Sequence, residues 1–182
     1  SNYHREVSRL ESLKNMTERY DGYGNSIKRV MNNRDHEPGL LGVVADIVKV
    51  DKEYEIAVET ALGGSIQNIV TDNEETAKRM IQFLKKNKFG RATFLPLTSM
   101  HGGNGIRNEE ALREPGVIGL ANTLVHVEKK YQILADQLLG NTVVVDHIDH
   151  GIAIAKKYRQ SLRLVTLEGD LINPGGAKTG GA

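Results

Sequence analysis

The chain has 182 residues, 39% hydrophobic and 26% charged, with a formal net charge of +1, no cysteine and no tryptophan. That length buries the core of one ordinary domain or of two small ones. The near-neutral balance excludes a global field for nucleic acid, and the missing cysteines exclude disulfides, thiolate nucleophiles and Cys-based zinc sites. The longest apolar runs fall far short of the roughly 20 residues of a membrane span.

The N-terminus has no apolar signal-peptide core, so the expectation is a soluble protein in a reducing cytoplasm without membrane partners. With three phenylalanines, the core must rest on Val, Ile and Leu.

In chain order, the first stretch, "REVSRLESLKNMTERY", spaces Val7, Leu10, Leu13, Met16 and Tyr20 by three or four among charges. This is the pattern of a short coiled-coil end. It stops at the breaker Asp21-Gly22-Tyr23-Gly24-Asn25, before a second helix near Ser26 to Asn32. A helix cut this short suggests a piece of something longer.

The next region repeats itself. "GVVADIVKVDKEYEIAVETALG" (Gly42 to Gly63) aligns with "GLANTLVHVEKKYQILADQLLG" (Gly119 to Gly140) at a constant offset of 77, with eight identities in 22 positions. The identities are Gly42/Gly119, Val48/Val125, Val50/Val127, Lys52/Lys129, Tyr54/Tyr131, Ile56/Ile133, Leu62/Leu139 and Gly63/Gly140. After a short deletion the parallel resumes, with "NIVTD" facing "VVVD". The chain is therefore two related modules.

Each module predicts the same elements. Residues 41–50 and 118–127 carry the β-branched, partly alternating pattern of strands. Glu53 to Leu62 has helical spacing and ends on a glycine pair. A short strand follows (Ile66 to Val70, Thr142 to Val145), then a helix with Asp72 or Asp146 as candidate N-cap. Met80, Phe83, Leu84 and Ile154, Ala155, Tyr158 are predicted to face inward. Ala92 to Leu95 and Leu162 to Leu167 are the last strands. Pro96 to Pro115, polar and glycine-rich, reads as a linker with a turn of helix at Glu109 to Arg113.

The glycine-rich end "NPGGAKTGGA" fails as a phosphate loop. GxxxxGK[ST] needs glycines where Ile172 and Ala177 stand, and no helix follows to supply its dipole. What these glycines offer is the missing Cβ, which permits close backbone approach or positive φ; a frayed tail is the simpler alternative. In "DHIDH", which also holds Asp149, the imidazoles of His147 and His150 could share a metal but have no evident third ligand at useful spacing, so the run is read as a helix start and no metal is expected. No carboxylate pair or serine has a catalytic pattern, so the fragment is read as non-enzymatic.

Six positive residues and no acidic one lie between Lys78 and Arg91, and the matching helix of the second module offers Lys156, Lys157, Arg159 and then Arg163. Lysines line exposed faces commonly; the alternative is salt-sensitive contact with phosphate backbone.

Four stretches, "YDGYGNSIKRVM", "GVVADIVKVDKEYEIAVETALGGSIQNIVTD", "GRATFLPL" and "TLEGDLINPGGAKTGGA", together resemble the hinge domain of the structural maintenance of chromosomes (SMC) family in its bacterial form, from about Tyr20 to Ala182. The resemblance implies an α+β fold of two similar tandem subdomains. Residues 1–19 would be the end of a coiled-coil arm, 20–98 subdomain I, 99–116 the linker and 117–182 subdomain II.

It further implies a homodimerisation hinge of a chromosome condensation and segregation ATPase, each subdomain docking on the other subdomain of its partner through strand edges. Gly175, Gly176, Gly180 and Gly181 would serve that contact, with Gly63 and Gly64 near it. Weak non-specific DNA binding would fall to Lys28, Arg29, Lys156, Lys157, Arg159 and Arg163. ATP, Mg and accessory subunits would belong to head domains outside this fragment, which itself would need no cofactor, and the location would be cytoplasmic and nucleoid-associated. The rival reading is a duplicated α+β regulatory module for a small ligand or nucleotide.

Overall fold

The computed structural model describes residues 24–181; the candidate coiled-coil stub at 1–19 lies outside the described residues. The elements are α1 (Asn25–Met31), β1 (Leu40–Val43), α2 (Val44–Ile47), β2 (Lys49–Val50), α3 (Glu55–Leu62), β3 (Ile69–Thr71), α4 (Glu74–Asn87) and β4 (Phe94–Pro96). After the linker come β5 (Val117–Leu120), β6 (Val125–His126), α5 (Gln132–Leu139), β7 (Thr142–Val145), α6 (Ile148–Lys157), β8 (Arg163–Thr166), β9 (Leu171–Ile172) and β10 (Lys178–Thr179). The mixture is α+β. No described helix is long and apolar enough to cross a membrane.

The chain forms two compact units. Of the described residues, the first holds 24–46 and 67–99 and the second 47–66 and 100–181. Residues 47–66, first-module by sequence, thus pack with the second unit.

In the first unit, three strands run in the order β1-β3-β4, β1 antiparallel and β4 parallel to the central β3. Helix α4 presents Thr76, Met80 and Leu84, buried at every fourth position, with Ala77 beside them. This is the stripe a sheet-covering helix needs. Its cap is Asn73, whose side chain accepts the Thr76 amide at 3.0 Å. Asp72, expected as the cap, instead accepts the Asn73 amide at 2.7 Å and the Thr76 hydroxyl at 2.9 Å. Helix α1 lays Ile27 and Val30, both buried, toward α4.

In the second unit, five strands run β10-β9-β8-β7-β5; β7 and β8 are parallel and the other pairs antiparallel. All four residues of β7 are buried. A strand is buried at every position only where both of its faces are covered. Helix α6 covers one face with Ile154 and Ala155, which share a core with Val143, Val145, Leu164 and Ile172. Helix α3 packs against β8 and against α5, burying Ala57, Val58, Leu134 and Leu139. Each large side chain so enclosed contributes about 1.5–3 kcal/mol.

The duplication is visible in backbone detail. Both β1–β3 and β5–β7 shift register just before a glycine of the repeat, at Leu40/Gly42 and Val117/Gly119. The amide of Asp72 donates to the Gly39 carbonyl and that of Asp146 to the Gly116 carbonyl, both at 2.9 Å. Tyr54 and Tyr131 occupy the N-cap positions of α3 and α5, and Leu62 and Leu139 close these helices buried. Strands β2 and β6 pair antiparallel, Lys49 opposite His126.

The first strand of each module is shorter than predicted. β1 gives way to α2, and β5 gives way to a 3-10 turn at Ala121–Leu124, before β2 and β6 resume. Val43, Val44 and Ala45 are all buried. Burial of three consecutive side chains departs from the alternation of a strand with one covered face.

Candidate functional site: sheet edges and glycine pairs

The terminal glycine-rich segment is an ordered hairpin. β10 pairs with β9, Lys178 opposite Ile172 and Thr179 opposite Leu171, around the turn Asn173 to Ala177. The Asn173 amide donates to Ala177 at 2.9 Å and that of Gly176 to Asn173 at 3.0 Å. A further anchor comes from the end of α6, where Arg159 and Gln160 both adopt positive φ, 57° and 60°. The Gln160 carbonyl accepts the Gly175 amide at 2.8 Å.

The glycines singled out in the sequence have different surroundings. A Cβ at Gly63, Gly64, Gly175 or Gly181 would meet nothing within 4 Å. All four face open space, and Gly175 also needs its lack of a side chain for a φ of 93°. Gly180 differs, because a Cβ there would strike the Asp170 carboxylate. That carboxylate is held by the Thr166 hydroxyl at 3.0 Å. Gly176 lies between these cases, with Gln160 Oε1 3.6 Å from its Cβ position.

Among the described residues, no strand lies beside the outer edge of β10 or beside that of β4. The two modules explain the second. In module two, β9 continues the sheet past β8, and Ile172 packs on α6, its Cδ1 3.0 Å from where a Cβ on Gly151 would sit. Module one stops at β4. Between α4 and the segment entering β4 lies a mostly apolar groove of about 510 Å³ lined by Ile81, Leu84, Lys85, Gly90, Arg91 and Ala92. Ile81 is 41% exposed, whereas Ala155, at the matching position of α6, is 1% exposed. Neither the groove nor Ile81 was expected from sequence, since Ile81 reads as one more apolar residue of an amphipathic helix.

The basic residues are spread over both units and are not equally available. In the first unit, Arg29 stacks on Phe89, 4.6 Å from the ring centroid, and Lys28 lies half-buried on the same helix. In the second, Lys157 donates to Glu114 at 2.5 Å and Tyr158 to the same carboxylate at 3.0 Å. These bonds hold the Glu114 carboxyl below its usual range and raise the Lys157 ammonium. Arg163 donates to Thr142 Oγ1 at 2.6 Å. Lys156 and Arg159 are exposed and have no carboxylate partner among the described residues.

Asp146, His147 and His150 come together at the start of α6, with possible ligand atoms within 4.8 Å of one another. The Asp146 carboxylate accepts the His147 amide at 2.7 Å and faces His150 Nδ1 at 2.8 Å, and the two rings stack at 4.2 Å. Its pKa is lowered, first by the His150 hydrogen bond. The carboxylate is thus committed to the helix start, where the backbone dipole favours an anion.

These features define a class: a tandemly duplicated α+β module in which one repeat carries a terminal hairpin and the other an unfilled sheet edge. Comparison with known proteins gives the family. Residues 37–155 match the model of the SMC proteins Flexible Hinge Domain, and the chain belongs to that family.

Among curated relatives, the Chromosome partition protein Smc of Lactiplantibacillus plantarum is 42% identical over 180 residues, covering 98% of this chain and 15% of the relative. That of Bacillus subtilis is 37% identical over 177 residues, covering 96% and 15%. The chain therefore spans about 15% of the length of these relatives. Among solved structures, an asymmetric dimer of the Geobacillus stearothermophilus SMC hinge domain superposes with a TM-score of 0.86 at 36% identity, over 100% of this chain and 76% of that one. The Pyrococcus furiosus SMC hinge domain gives 0.70 at 29%, over 93% and 87%.

Proposed function

We propose that this chain is a homodimerisation hinge: two copies associate head to tail, the β10 hairpin of one seated on the β4 edge and apolar groove of the other. The observation that carries the reading is the mismatch between modules, an exposed Ile81 in one where the other buries Ala155 in a core completed by its own β9. A strand added to an open edge gains main-chain hydrogen bonds and fills the pockets beneath it. Pro96, matching Thr166 through the common register, lacks the amide that Thr166 donates to Asp170 at 2.9 Å. Pairing at β4 is therefore confined to residues before Pro96. Gly63, Gly64, Gly175 and Gly181, with open space at their Cβ positions, let the incoming backbone approach closely; Gly176 and Gly180 shape the hairpin.

Within a full-length protein like the curated relatives, such a hinge joins two coiled-coil arms, while ATP hydrolysis and accessory subunits belong to heads elsewhere. The hinge itself is non-catalytic, cytoplasmic and nucleoid-associated. It holds DNA weakly through Lys156 and Arg159 in the second unit and Lys28 and Arg29 in the first, with Lys157 and Arg163 contributing field more than contact.

Light scattering tests the assembly. A ligand-free dimer near twice 20.1 kDa is expected, with monomers released by Ile81→Glu; a wild-type monomer at micromolar concentration overturns the reading and leaves the duplicated ligand-binding module as its rival.

A further inference from the structure

A second cavity, of about 420 Å³, opens in the second unit, lined by Arg107, Asn108, Asn141 and Arg163 among others and by no acidic side chain. Its chemistry is that of an anion site. Arg163 is partly buried and pairs with no carboxylate among the described residues; it donates once, to Thr142 Oγ1 at 2.6 Å. The Thr142 hydroxyl passes its own hydrogen to Asn141 Oδ1 at 3.1 Å. This relay fixes the guanidinium and commits the carbonyl end of Asn141, leaving the amide NH₂ as a donor. Thr142 is fully buried in β7, so the relay is built on an interior strand of the sheet. Arg107 has no acceptor among the described residues, and the Asn108 side chain has none either.

An arginine has five N–H donors, and removing one from water without an anion is costly. Two guanidiniums and two amides lining one cavity suit the oxygens of a phosphate, which arginine recognises through paired hydrogen bonds. The volume lies in the range of about 300–1000 Å³ that holds small organic ligands.

We propose that this cavity binds the phosphate group of a small phosphorylated molecule, with Arg107 and Arg163 pairing to its oxygens and Asn141 donating beside them.

Titration calorimetry of the 182-residue chain with inorganic phosphate, adenosine 5′-monophosphate and a short DNA duplex tests this. The monophosphate should bind at one per chain, more tightly than inorganic phosphate. Arg107→Gln and Asn141→Asp, both at exposed positions, should each weaken it about tenfold or more. Arg163→Gln should do the same with an unchanged circular dichroism spectrum; loss of the spectrum would shift the decision to the other two variants. Absence of monophosphate binding, affinity unaltered in Arg107→Gln and Asn141→Asp, or binding of the duplex alone would each overturn the assignment.

Discussion

The Gly175 amide donates to the Gln160 carbonyl at 2.8 Å, which fastens the turn of the terminal hairpin to the end of α6. Two residues in left-handed conformation, Arg159 and Gln160, aim that carbonyl. The hairpin is therefore set by the fold before any partner arrives, and an interface built on it starts preorganised.

Gly64 gives the cleanest test of that interface. It does not have positive φ, and a side chain there meets nothing within 4 Å. Gly64→Leu should leave thermal stability within about 0.5 kcal/mol, as for surface changes generally, yet shift the scattering mass from dimer to monomer. A dimer persisting in Gly64→Leu would remove this glycine from the contact. Gly175→Ala is a poorer probe, since at a φ of 93° it strains the hairpin as well.

Gly180→Ala should behave differently. Its Cβ would enter the space of the Asp170 carboxylate, which Thr166 holds in place. Overpacking of this kind costs about 1–3 kcal/mol, read as a lower thermal midpoint of the monomer itself. Asp170→Ser in the same chain should restore part of the loss. An unchanged midpoint in Gly180→Ala would show that the hairpin yields at no cost.

For DNA, Lys156→Glu with Arg159→Glu should weaken duplex retention and lower the slope of log affinity against log salt by about 0.9 for each phosphate no longer neutralised. Lys157→Glu should instead destabilise the fold, because it faces Glu114 with a like charge. Equal retention by the double variant and the wild type would clear both residues of contact.

Glu114 should contribute to acid sensitivity, beside Glu37 and Asp146, whose carboxyls are also held below their ordinary range. Hydrogen bonds from Lys157 and Tyr158 lower the Glu114 pKa from the ordinary 4.5. A carboxylate depressed in the folded state contributes stability that is fully present above its unfolded pKa and lost as pH falls through the folded value. Glu114→Gln should therefore reduce stability at pH 7 and flatten the loss below pH 4.5, as measured by urea unfolding across that range. An acid limb unchanged in the variant would assign that loss to other carboxylates.

The repeat was legible from sequence because its identities sit where the backbone has no choice. Gly42 and Gly119 follow the register shifts, and Leu62 and Leu139 close buried helices. The helices were legible for the same reason, their stripes surviving as Met80, Leu84, Ile154 and Ala155. What stayed hidden depends on packing between segments distant in sequence. The helical turn replacing the middle of the first strand goes with consecutive burial at Val43, Val44 and Ala45. The cap shifted from Asp72 to Asn73 because Gly39 brings its backbone against Asp72 and Thr76. Gly39 and Gly116 share the 77-residue offset, a signal lying just outside the aligned stretch. Of the pocket around Arg163 the sequence singled out Arg163 alone, as one more basic residue, since Arg107, Asn141 and Arg163 share no spacing.

Lys49 faces His126 across the β2–β6 ladder, and the two differ by the repeat offset, so the exchange of one repeat for the other maps this pair onto itself. A duplication whose halves had stayed alike would offer the same surface twice. Here only the later half carries β9 and β10. On the proposed reading the gene encodes a plug on one copy of the fold and leaves a socket on the other, and two molecules turned head to tail would satisfy both sockets at once. Stoichiometry of two is then a property of broken internal likeness, set by a few residues of hairpin.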